Sequence, residues 1–323
     1  MMMVDVEALR ELSWMGIPHP LRPQCWRLLL GYCPPARVRQ TATLTRKRTE
    51  YTDMLPQYYD IPAAERSEDE QAALRQVMVD VPRTAPAVPF FQEPQIQKSL
   101  ERLLYIWGIS GYVQGMNDLV TPFLAVFLAE HLPGSLDSWH AGQLTEDVVL
   151  SVEADCYWCL CKLVEGIQDH YTYAQPGIQR TVFQLQALAM EMEPELTRRL
   201  LAEKLDFIQF AWRWVNCLLV RELPFHLAFR LWDTYLSEGY RLDEYLVQVC
   251  AAFLAHWRSA LLPLEFQEMI MFLQRLPTAD WEEKELAGVL SQAHVYRLKQ
   301  EEKAQAKGGQ TRSPQPPAAG QPR

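Results

Sequence analysis

GYVQGMNDLVTP, residues 111–122, carries two glycines four positions apart, a glutamine between them, an Asn-Asp pair and the start of an apolar run. Gly111 and Gly115 can take tight or positive-φ conformations without a Cβ clash, so Gln114 is expected on a turn and not inside a regular element. Pro122 suits the first turn of the helix that should follow, where its missing N–H costs nothing. An amide held on a turn at the mouth of a helix can orient something outside the protein. The same spacing fits a plain capped helix start, and on these residues alone both readings stand.

Working outward, the flanking sequence is helical in pattern. Leu100, Leu103, Leu104 and Trp107 fall at i, i+3, i+4 and i+7, one face of a helix. Phe207, Phe210, Ala211, Trp214 and Leu218 extend a similar stripe. Ser67 with Glu70 reads as a capping box, and Thr145 followed by Glu146 and Asp147 as a capped start with acidic first-turn residues. Alternating runs long enough for a sheet are absent from the sequence, so the fold class is all-α, with an α-solenoid as a weaker alternative. Irregular stretches are expected at 33–37 (a Pro-Pro turn), at 82–94 (an extended, proline-rich connector) and at 132–142 (a surface loop).

Upstream of the glycines, VMVDVPRT at 77–84 places Asp80 three residues before Arg83 among valines. Val77-x-x-Asp80-x-x-Arg83 followed by Tyr112-x-Gln114 resembles the paired signature of the TBC domain, the family of GTPase-activating proteins for Rab-type small GTPases. Arg22-x-x-x-Trp26 is similar to that family's opening motif. RELPFHLAFRLWDTYLSEG at 221–239 is similar to its late Leu-Pro-Phe and Trp-Asp stretches. EADCYWCLCKLVEGIQDHYTYAQPGIQ at 153–179 resembles the member-22 branch in particular. The resemblance covers roughly residues 5–298.

The resemblance implies a single multi-helix domain over 1–298 and a mechanism supplied in trans. An unaided small GTPase is slow because charge developing on the transferring phosphoryl group is incompletely neutralised and the attacking water is poorly held. An arginine answers the first need with a permanent charge and a planar fork of donors. A glutamine answers the second by both donating to and accepting from water. The matching positions are Arg83 as arginine finger and Gln114 as glutamine finger. Supporting roles are expected of Asp80, which would orient local backbone or Arg83, of Tyr112 beside the Gln loop, and of Asn117 and Asp118, which would fix that loop by side-chain to backbone bonds. Trp26, Trp232 and Asp233 are expected to be scaffold. The implied partner is a GTP-bound Rab, which carries the GTP and magnesium itself, so no cofactor of the protein's own is expected. The implied location is cytoplasmic, peripheral on endomembranes such as the Golgi, with adaptor proteins there as further candidate partners. The alternative is a catalytically weakened or silent Rab-binding scaffold with the same fold.

Bulk properties agree with a globular protein. Of 323 residues 49% are hydrophobic and 22% charged. A net charge of −9 argues against a nucleic-acid binder, which carries a clustered basic face. Residues 1–12, MMMVDVEALREL, form no secretory h-region. The longest apolar run, 119–132, is interrupted by Pro122 and Glu130 and falls short of the ~20 residues a membrane span needs, so no transmembrane segment is expected. The seven cysteines suit a reducing compartment with free buried thiols. Cys156-x-x-Cys159-x-Cys161 invites a metal or redox reading, but it sits inside an apolar helical pattern and no second ligand pair completes a tetrahedral site. Residues 299–323 are poor in apolar residues and rich in Pro, Gly and Gln, and are expected to be a disordered tail.

Two departures from the family bear on activity. The branch resembled carries a few more residues between the helix ending near Ile109 and the Tyr-x-Gln turn, including a basic residue and a proline. Their absence before Gly111 is expected either to shorten the helix or to drag the Gln loop. A shift of ~1 Å can cost about 10²-fold in a positioning mechanism. The sequence also begins close to the domain, so a longer regulatory N-terminal region is expected to be missing.

Overall fold

The structure is a computed structural model that describes residues 3–109, 112–172 and 174–310. Among the described residues there is no β-strand, only one isolated bridge between Met3 and Ala36. The helices are α1 (Val6–Ser13), α2 (Arg22–Leu29), α3 (Arg37–Met54), α4 (Glu68–Asp80), α5 (Pro94–Gly108), α6 (Met116–Leu128), α7 (Glu146–Glu165), α8 (Pro176–Met192), α9 (Pro194–Ala202), α10 (Ile208–Asn216), α11 (Phe225–Glu238), α12 (Leu242–His256), α13 (Arg258–Leu261), α14 (Phe266–Gln274) and α15 (Glu283–Gln310). The expected all-α fold is therefore present. Ser67 and Glu70 form the capping box of α4, and the Thr145 hydroxyl accepts from the Val148 N–H at the start of α7.

Helix α6 lies at the centre. Every residue from 116 to 128 is buried: from Pro122 onward the helix is wholly apolar, and its buried polar residues Asn117, Asp118 and Thr121 each have a hydrogen-bond partner. It packs against α7, α11, α5 and α2. Its side chains join one continuous core, in which the Phe123 ring meets Trp232 at 5.4 Å and Trp26 at 5.8 Å. Pro122 is not in the first turn, as the sequence suggested, but six residues into the helix. The Asp118 carbonyl, which loses its i+4 donor there, is instead bonded by the Thr121 hydroxyl at 2.8 Å. The neighbouring side chain thus repairs the bond that a mid-helix proline removes.

Buried charge fastens the outer helices to this core. Asp233 on α11 accepts from Trp26 Nε1 at 2.7 Å, Arg22 Nε at 3.0 Å and the Ile17 N–H at 2.9 Å, tying the chain's first elements to α11. Burial pushes the Asp233 carboxyl up, and the contacts with Arg22, Ile17 and Trp26 oppose that rise. Asp155 and Glu153 on α7 do the same for neighbouring helices: Asp155 takes Arg48 and Tyr32, and Glu153 takes Arg102 and Tyr51.

Two expectations need correction. Residues 82–94 are not extended but include 3-10 turns at Val81–Arg83 and Pro89–Gln92. The stripe ending in Leu218 leaves the helix at Asn216, and Leu218 is buried in a left-handed conformation, φ +47°. The expected boundary at 298 falls within the last helix. Helix α15 continues to Gln310, because Gln300 to Ala306 are good helix formers. Two contacts hold that extension to the body: Gln248 Nε2 donates to Gln300 Oε1 at 2.9 Å, and Lys303 pairs with Glu191 at 2.7 Å. Residues 311–323, the rest of the expected tail, lie outside the described residues.

Candidate functional site

Arg83 stands on the 3-10 turn that ends α4, and its side chain is exposed. Gln114, also exposed, stands on the turn that starts α6. Hydrogen bonds join the two turns. The Tyr112 hydroxyl donates to Asp80 Oδ2 at 3.1 Å, and Asn117 Nδ2 donates to Thr84 Oγ1 at 2.9 Å. Thr84 in turn donates to the Asp80 carbonyl at 3.1 Å. Burial, followed by the nearby Asp80 charge, holds the Tyr112 phenol well above its usual range, so it remains a neutral donor.

These contacts revise the roles read from the sequence. Among the described residues Asp80 makes no bond to Arg83; it takes Tyr112 and the Gln76 amide. Asn117 and Asp118 reach across to other elements instead of capping their own loop. Asp118 accepts from the Cys217 thiol at 3.6 Å and faces Arg221 at 3.6 Å. Burial raises the Asp118 carboxyl, and the Arg221 charge opposes that rise. Trp26 and Asp233, expected to be scaffold, meet in the core and do not line the site. The short junction before Gly111 falls on residues 110–111, outside the described residues.

The two turns open onto a cleft of about 370 Å³ whose far wall is α10, the segment after it and the end of α14. Arg83, Gln114, Gln209, Trp212, Arg213 and Arg221 contribute to its lining. Of these three arginines, Arg213 is engaged by Glu222 and the Gln274 carbonyl, and Arg221 by Asp118. The Arg83 guanidinium makes no hydrogen bond or ion pair among the described residues. Strained backbone adjoins the cleft: Ala85, Leu218 and Leu219 all have positive φ, at a cost of order 1 kcal/mol each. Helices α4, α10 and α14, which supply the walls, also expose Met78, Val79, Ile208 and Met271.

The sequence reading missed Thr84, Arg213, Arg221 and Asn216. Asn216 is fully buried and donates through Nδ2 to the Gln114 carbonyl at 3.1 Å. The only signal available was an asparagine between Val215 and Cys217, at the end of an apolar helical stripe. Among the described residues no group of three His, Cys, Asp or Glu is placed to hold a metal ion. Cys156 and Cys159 are buried in α7, and burial pushes both thiols well up.

The chain matches the model of the Rab-GTPase-TBC domain over residues 19–262. It is 45% identical over 300 residues to TBC1 domain family member 22B of Homo sapiens, covering 91% of this chain and 58% of that protein. It is 45% identical over 301 residues to the GTPase-activating protein gyp1 of Schizosaccharomyces pombe, covering 91% of this chain and 58% of that one. The chain thus spans less than two thirds of the length of these relatives. Among solved structures it is similar to the Ypt/Rab-GAP domain of Gyp1p, with a TM-score of 0.86 and 42% identity, covering 91% of this chain and 93% of that one.

Proposed function

The chain belongs to the Rab-GTPase-TBC domain family, and from that premise we propose that it accelerates GTP hydrolysis by a Rab-type small GTPase, with Arg83 and Gln114 supplied in trans. The observation that carries this reading is the pairing of an exposed, unengaged guanidinium with an exposed amide on two turns that are bonded to each other at one cleft. In this reading the partner brings GTP and magnesium. Arg83 neutralises charge developing on the β- and γ-phosphate oxygens. Gln114 holds the attacking water, taking over the task of the partner's own glutamine. Fixing both groups before the partner arrives lowers the entropic cost of assembling them at the transition state. The exposed apolar side chains on the cleft's supporting helices suit a protein partner.

In the same proposal the protein works in the cytoplasm, peripherally on endomembranes such as the Golgi, with adaptors there as further partners. It is compatible with that placement that no helix among the described residues is long and apolar enough to cross a membrane.

Single-turnover GTP hydrolysis on a panel of GTP-loaded Rabs, with saturating wild type, Arg83→Ala and Gln114→Ala, tests the reading. Wild type should accelerate at least one Rab, and Arg83→Ala should lose on the order of 10³-fold or more. Near-intrinsic rates with wild type on every Rab would overturn it. Binding that persisted without acceleration would leave a Rab-binding scaffold.

A further inference from the structure

Behind Gln114 runs a line of three side chains that the two-finger reading leaves without a role. Trp212 Nε1 donates to Gln175 Oε1 at 3.2 Å. Gln175 Nε2 donates to the His170 carbonyl at 3.1 Å and to Asn216 Oδ1 at 3.5 Å. Asn216 Nδ2 donates to the Gln114 carbonyl at 3.1 Å. The direction of this line is determined by its ends. An indole nitrogen can only donate and a backbone carbonyl can only accept. Facing both, Gln175 must turn its oxygen to Trp212 and its nitrogen to His170 and Asn216. Asn216 must then present its oxygen to Gln175 and its nitrogen to Gln114.

Two further observations show that the line is built. Gln175 sits in the left-handed region at φ +47°, an uncommon conformation for a residue with a side chain, and so aims its amide at α10. Gly115, next to Gln114, is at φ +102°, and a Cβ there would lie 2.0 Å from Asn216 Nδ2. The turn and Asn216 therefore touch, and the Tyr171 hydroxyl holds the Asn216 backbone from behind at 2.7 Å.

We infer that Trp212, Gln175 and Asn216 form an amide relay that fixes the Gln114 turn, with Asn216 as the positioning residue and Gln175 as the group that sets its orientation. The inference rests on the reading that Gln114 acts on the partner's GTP. Because Trp212 also lines the cleft, the relay begins on the surface that the partner would cover.

The decisive variant is Gln175→Glu. It keeps the size of the side chain and can still accept from Trp212, but it offers no N–H to His170 or Asn216. Asn216→Asp sets an oxygen against the Gln114 carbonyl. Since it puts a charge at a buried position and can compromise folding, the half-buried Gln175 variant is read beside it. With saturating activator the single-turnover rate should fall about 10- to 100-fold for Gln175→Glu, while the concentration for half-maximal rate changes by less than about 3-fold. In a Gln114→Ala background Gln175→Glu should add less than about 2-fold, because the two act as one unit. Hydrogen–deuterium exchange of the free protein should quicken over 112–118 and stay unchanged in the core of α6. Unchanged rate and exchange, or an equal loss in the Gln114→Ala background, would overturn the relay. If wild type accelerates no Rab, the proposed function fails by itself, and exchange over 112–118 still decides whether the relay holds the turn.

Discussion

Arg83 and Gln114 are exposed and outside the core, so removing either should leave the fold intact and affect one transition state. Arg83→Ala and Gln114→Ala should each lose on the order of 10³-fold, and the double variant little more, because groups serving one transition state are not additive. Thermal melting should be nearly unchanged in all three. Gly115 differs in kind. Its φ of +102° and the 2.0 Å approach of Asn216 Nδ2 to an added Cβ leave no room for alanine. Gly115→Ala should lower the hydrolysis rate by about 10²-fold or more through displacement of the turn, and should also lower the melting temperature. Loss of rate with an unchanged concentration for half-maximal rate would confirm displacement over lost binding.

At the scale of elements, the end of α15 supplies a clear test. Truncation after Leu298 removes the Gln248–Gln300 hydrogen bond and the Lys303–Glu191 pair. The first contributes about 1 kcal/mol and the second, being exposed, little. In a protein of this size that corresponds to a melting temperature lower by about 1–2 °C. Truncation after Gln310 should leave it unchanged, and calorimetry on the two truncations separates the cases. The sequence placed the boundary at 298 by averaging composition over 299–323. That average hides the change from helix-forming residues to the Gly, Pro and Gln run near Gly308. Pro122 shows a similar limit. Proline inside an element reads as a start or a break until it is seen that Thr121 supplies the missing donor.

For the whole molecule, the cysteines report on packing. Five of the seven are buried, Cys25 and Cys161 are half-buried, and all are free. Burial pushes every thiol up, that of Cys161 to about 11. The thiolate is the reactive form, so the native protein should label slowly at pH 8, Cys25 and Cys161 first, and all seven rapidly once unfolded, where the pKa returns to about 8.5. Fast labelling of two thiols in the native state, or co-purifying zinc, would revive the metal or redox reading of Cys156, Cys159 and Cys161.

The sequence by itself determined the all-α class, the caps at Ser67 and Thr145 and the family. These depend on periodicity and on short motifs, which are local and survive without coordinates. It also singled out Arg83 and Gln114, through spacing together with family resemblance. Only the tertiary structure decided that Asp80 serves the Gln turn through Tyr112, that Asn117 reaches Thr84, and that Asn216 and Gln175 stand behind Gln114. The reason is physical: these bonds join residues roughly 30 to 100 positions apart. No local pattern carries such information, and it exists only once the buried face of each helix has chosen its neighbour.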